Sequence, residues 1–188
     1  MTASLQTFAY TPSLPSLQED RLPALLNGEI LLTTRSHTDW GAAVTARMHL
    51  PIQRGRVWEK ITEYSQWVRY FPALTHSQVL HEGDSGAARI TKRLYQVASK
   101  TFFLFTAQVD IRLKVVETIH QRIQFYLESG SFKDFYADLH LQECRGGTLL
   151  TYSVQATPTI PVPSLFIQQA IQLDLPSNLR NMRQLLCQ

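Results

Sequence analysis

Lys92 and Tyr152 are the residues whose type and position come nearest to chemistry. Lys92 shares a strand face with Ala88, Ile90 and Leu94, so strict alternation turns it inward. A buried lysine favours its neutral form, or needs a carboxylate or an anionic headgroup beside it. An edge position or a bulge would instead return it to solvent. Tyr152 lies on the apolar face of its strand with Leu150 and Val154. There its hydroxyl either meets a ligand carbonyl or bonds to backbone while the ring packs. Arg47 suits either face of its strand.

General acid–base catalysis needs a pair of titratable groups facing one interior. No such pair is evident, because Asp110, Glu128, Asp134 and Asp138 all phase outward. The six histidines fall on different elements, with no HExxH and no helical i,i+4 pair. His140 and Asp138 share one strand face, read here as solvated. Cys144 and Cys187 form no CxxC or Cys/His cluster. There is no GxSxG elbow and no glycine-rich phosphate loop. No metal site and no cofactor are expected.

Composition narrows the partners. The net charge of +3 comes from scattered basic residues rather than a clustered face, which argues against nucleic acid. The N-terminus lacks the basic segment and apolar run of a secretory signal. No stretch reaches the ~20 apolar residues that span a bilayer. A cytoplasmic setting is expected, with peripheral attraction to an anionic membrane surface left open.

The elements that must position these residues are mostly strands. Between Gly130 and Pro158, one run places Phe135, Ala137, Leu139 and Leu141 on one face, with Asp134, Tyr136, Asp138, His140 and Gln142 on the other. Its partner carries Leu150, Tyr152, Val154 and Ala156, and Arg145-Gly146-Gly147 joins them. This alternation describes a sheet with one dry face and one wet face. Strands are likewise predicted near 29–36, 41–50, 75–81, 87–97, 106–117 and 119–128. Helices are predicted over 54–63 and near 66–70, then from about Pro163 to the end, with a kink or break at Pro176. Residues 1–27 read as an extended arm or short turn of helix, held where Leu22, Leu25 and Leu26 find a groove. Residues 28–188 read as one α+β domain.

Three stretches carry a family resemblance. They are Arg56-Val57-Trp58-Glu59-Lys60-Ile61-Thr62-Glu63-Tyr64 with Phe71-Pro72, Val115-Val116-Glu117 with Ile123-Gln124-Phe125, and Gly130-Ser131-Phe132-Lys133-Asp134-Phe135 with Thr148-Leu149-Leu150-Thr151-Tyr152 and Pro158. In that order they resemble the START-like (SRPBCC) superfamily, in its polyketide cyclase/dehydrase and coenzyme-Q-binding branch, over about 43–184. The resemblance implies a helix-grip fold: a strongly bent antiparallel sheet wrapped around the C-terminal helix, with a cavity between them.

In such a fold the inward faces of the central strands either line a cavity or fill a core. The candidate lining is Ile90, Lys92, Leu94, Val109, Ile111, Leu113, Val115, Ile123, Phe125, Leu127 and Tyr152, with Phe166 and Ala170 from the last helix. The run Phe102-Phe103-Leu104-Phe105 is either a hydrophobic lip that docks on a membrane or partner, or core strand. The expected partner is an apolar small molecule such as a lipid, quinone, isoprenoid or polyketide-like compound, carried without catalysis by a monomer or homodimer. The alternatives are a cyclase or dehydratase using the same cavity, and a protein-interaction module.

Overall fold

In the computed structural model, residues 19–188 are described except 36, 87, 103, 104, 163–166, 168 and 169. The alternating runs pair as one antiparallel sheet. Its strands are β1 (Ile30–Arg35), β2 (Ala42–Leu50), β3 (Leu74–Gly86), β4 (Arg89–Phe102), β5 (Phe105–Thr118), β6 (Arg122–Gly130), β7 (Phe132–Cys144) and β8 (Gly147–Pro158). They lie in the order β1-β2-β8-β7-β6-β5-β4-β3. All but one neighbouring pair are consecutive in sequence. The exception is β2 with β8, in register from Ala42↔Ala156 to Leu50↔Thr148, which brings the first strands beside the last.

The helices lie against the concave face of this curled sheet, in the helix-grip arrangement. They are α1 (Leu22–Leu26), α2 (Arg54–Ile61), α3 (Trp67–Tyr70) and α4 (Leu175–Leu186). Helix α2 buries Val57, Trp58 and Ile61, a spacing that puts all three on one face. Helix α4 does the same with Leu179, Met182 and Leu186. Polar ties hold α4 in place. Lys60 Nζ donates to the Leu186 carbonyl at 2.9 Å, and Asn181 donates to the carbonyls of Arg69 and Tyr70 at 2.6 and 3.2 Å. Arg183 donates to the Gly28 carbonyl, and Leu25 of α1 is fully buried.

Near the expected kink or break at Pro176, a π-helical turn over Ala170–Asp174 gives way to α-helix over Leu175–Leu186; the expected start at Pro163 lies outside the described residues. Pro176 therefore sits in the first turn, where its missing N–H leaves no intrahelical bond unmade. Asp138 differs from expectation. It faces outward, yet it is 1% exposed and accepts two hydrogen bonds of 2.8 Å from Arg122. Long neighbours on the convex face, Arg122 and Tyr136 among them, close over it and displace the water that alternation alone implied. The Nδ1 atom of His140, two residues along, is buried with no partner. Burial lowers the affinity of this imidazole for a proton.

The β7–β8 and β6–β7 turns need special backbone. Arg145 and Gly146 link β7 to β8 with φ of 47° and 77°. Positive φ at both central residues is what a two-residue hairpin with native twist requires. Gly130, at the end of β6, has φ 135°, and a Cβ there would lie 2.4 Å from the Asp110 carbonyl oxygen and 2.8 Å from Ile111 Cα. Gly130→Ala should therefore cost about 2–3 kcal/mol, through strain and a backbone clash. Gly146→Ala, whose new methyl meets open space, should cost about 1 kcal/mol. Urea denaturation of both variants checks the order; equal losses would contradict the close approach at Gly130.

Candidate functional site

The concave face holds two unlike regions separated by aromatic rings. The first is an apolar pocket of about 240 Å³. Trp67, Phe71, Ala73 and Leu74 form one side of it, running from α3 into β3. Ala98 with Gln96 on β4, Val109 with Ile111 on β5, and Phe132 with Phe135 at the start of β7 line the sheet side. Tyr152 of β8 and Asn178 of α4 complete the described lining.

These walls are built from ring contacts. Trp67 packs on Phe71 and Phe125 with centroids 5.7 and 5.3 Å apart, and its indole N–H donates to the Ile61 carbonyl at 2.8 Å. The rings of Phe71 and Tyr152 lie 6.4 Å apart, and those of Phe132 and Phe135 5.7 Å apart. Such spacings suit offset and edge contacts. The polar members of the lining are uncharged. Gln96 is fixed by donating its amide N–H to Ser77 Oγ at 3.1 Å. Burial pushes the Tyr152 phenol up to about 12, so it remains an O–H donor at physiological pH.

The second region is a buried ionic cluster. Glu117, on the inner face of β5, has a side chain 2% exposed. Its Oε1 accepts the Tyr64 hydroxyl at 2.7 Å and lies 3.2 Å from Lys92 Nζ. Lys92 reaches towards the surface as well, 3.6 Å from Glu82, and its ammonium lies 5.5 Å from the centre of the Tyr64 ring. Burial, then the adjacent carboxylate, raises the Tyr64 phenol well above its ordinary value. Tyr64 packs against Trp67 and Phe125 at 5.8 and 6.2 Å. Those two rings lie between the cluster and the pocket.

The predicted lining residues divide accordingly. Val109, Ile111 and Tyr152 line the pocket. Leu94, Leu113, Val115, Ile123 and Phe125 face inward but are 0–2% exposed. They leave no surface for even a water-sized neighbour, so they are core rather than lining. The reason is that α2, Tyr64 and Trp67 press directly onto the middle of the sheet. Leu127 is partly buried against that core, and Ile90 is half-buried outside the pocket's described lining. Lys92 points to Glu117 rather than into the pocket. Ala170 is exposed on the π-helical turn, away from that lining.

Phe102 pairs with Phe105 at the end of the β4–β5 ladder. Phe103, Leu104 and Phe166 lie outside the described residues. Glu117 was not foreseen as a site residue, although it shares strand parity with Val109, Ile111, Leu113 and Val115. Gln96 and Asn178 were missed too; Gln96 shares parity with Lys92 and Leu94, whereas only the seating of α4 brings Asn178 in.

Among the described residues, no three His, Cys, Asp or Glu side chains converge as a metal site would require. No described helix is long and apolar enough to cross a membrane.

Comparison with known proteins agrees with this geometry. The family model for polyketide cyclase/dehydrase and lipid transport matches residues 50–183. No curated protein sequence matches the chain. A START superfamily protein from Mycobacterium smegmatis superposes with a TM-score of 0.62 at 11% identity, covering 77% of this chain and 96% of that one. A STAR-related lipid transfer protein from Xanthomonas axonopodis gives 0.58 at 13% identity, over 84% of this chain and 99% of that one. The Zhui aromatase/cyclase from Streptomyces sp. R1128 gives 0.54 at 10% identity, over 78% and 92%. At these identities the likeness is one of fold.

The ionic cluster has a measurable consequence. Lys92→Met strands the Glu117 carboxylate and should cost about 3–5 kcal/mol. Adding Glu117→Leu should recover much of that loss, because an unpaired buried charge is worse than none. Chemical denaturation of the single and double variants measures the coupling. A Lys92→Met loss below about 1 kcal/mol would mean that water reaches the carboxylate.

Proposed function

Because the chain belongs to the polyketide cyclase/dehydrase and lipid-transport family, we propose that it binds and carries an apolar small molecule in the pocket beneath α4. The observation behind this reading is the aromatic pocket of about 240 Å³. An engineered apolar cavity of about 150 Å³ already takes up benzene. Affinity would come from buried apolar area, at about 25 cal/mol per Å² before ordering costs. Tyr152, Gln96 and Asn178 would orient the ligand.

A cyclase or dehydratase would need an acid–base pair reaching the same space. The inward carboxylate, Glu117, is engaged by Tyr64 and Lys92 behind Trp67 and Phe125. That placement favours carriage over catalysis. Delivery at a membrane would use the apolar run Phe102-Phe103-Leu104.

Two measurements test these steps. Native mass spectrometry of gently purified protein should show a co-purified or added apolar ligand, and Ala98→Trp, which fills the pocket, should weaken binding of such a probe by about tenfold or more. Unchanged affinity in Ala98→Trp would refute this pocket as the binding place. Phe102→Ser with Leu104→Ser should lower binding to anionic vesicles without lowering the melting temperature; equal vesicle binding would remove the docking role.

A further inference from the structure

The character of the pocket walls says more than that they are apolar. Five of the lining residues carry aromatic rings: Trp67, Phe71, Phe132, Phe135 and Tyr152. Rings reward a flat, unsaturated guest through offset and edge contacts. A flexible acyl chain gains none of that and loses rotamer freedom when held. The volume of about 240 Å³ suits two fused rings better than one, given that about 150 Å³ suffices for benzene.

The polar groups set the second constraint. No Lys, Arg, His, Asp or Glu is among the described lining residues. Gln96 comes from β4 and Tyr152 from β8, strands on opposite flanks of the sheet, and Asn178 comes from α4. A ligand carboxylate brought here would lose water and gain no cation from the described lining. A ketone, ester or hydroxyl oxygen would find amide and phenol partners. The ammonium of Lys92, on the same strand as Gln96, is held by Glu117 at 3.2 Å.

Resting on the reading of this pocket as the ligand site, we propose that it selects flat, uncharged ring compounds carrying an oxygen acceptor and rejects anionic amphiphiles such as fatty acids. Tyr152 and Gln96 are the groups that determine this specificity.

The test uses full-length protein, calorimetric titration at pH 7.5 and four probes: 2-acetylnaphthalene, 2-isopropenylnaphthalene of the same shape without the oxygen, 2-naphthoate and laurate. The acetyl compound should bind about three- to tenfold more tightly than the isopropenyl compound, the margin of one neutral hydrogen bond. It should exceed 2-naphthoate and laurate by about 100-fold or more, since each buries an unpaired carboxylate. Tyr152→Phe should bring the acetyl and isopropenyl affinities together, and Gln96→Met is the second variant should the first fail to fold.

Laurate or 2-naphthoate binding as tightly as the acetyl compound would overturn this specificity while leaving an apolar ligand site standing. An acetyl preference that survives both substitutions would overturn the assignment of Tyr152 and Gln96. Binding of none of the four would overturn the ligand-site reading itself, and this proposal with it.

Discussion

A sheet curled through eight strands presents a concave face that must be kept from water, and the described helices that cover it are short. Helix α2 has 8 residues, α3 has 4 and α4 has 12. Their apolar faces fill the middle of the concavity completely, where Leu94, Val115, Ile123 and Ile61 have no exposed surface. Towards the α3–β3 junction the filling is done by rings packed at tilted angles, which leave gaps that aliphatic side chains would close. The pocket is the remainder of that uneven covering. Trp67 marks its boundary, because the same indole lines the pocket and, with Phe125, walls off the ionic cluster.

That cluster is an expensive feature for a small core. An ion pair removed from water gains stability only with good geometry and further hydrogen bonds. Glu117 has both, from Lys92 at 3.2 Å and the Tyr64 hydroxyl at 2.7 Å. Its structural effect is to join the Tyr64–Gln66 turn before α3 to the inner face of β4 and β5. The turn that carries Trp67 into place is thereby fixed to the sheet. A polar group facing the interior is consequently a fastener here, and the fold's shared use by lipid-transfer proteins and aromatase/cyclases does not make it a catalyst.

The fold was largely legible in the chain because period-2 alternation is a local signal. The β7–β8 pair, its join at Arg145-Gly146-Gly147 and the inward parity of β5 and β6 all follow from neighbours along the strand. Parity says which way a side chain points and nothing about what it meets. Leu113 and Val109 have the same parity, yet one is sealed in the core at 2% exposure and the other opens on the pocket. Asp138 points to the solvent side, yet Arg122 and its neighbours bury it.

The amino-acid pattern by itself determined the strands, their faces, the helical stripes on α2 and α4 and the family they add up to. Each depends on spacing within a dozen residues. Tertiary structure alone decided where the concave face keeps a pocket, that Lys92 turns to Glu117, and that Gln96, Tyr152 and Asn178 meet around one space. These are contacts between residues tens of positions apart, and they depend on how the β2–β8 pairing curls the sheet and where α4 is seated. No periodicity along the chain records either.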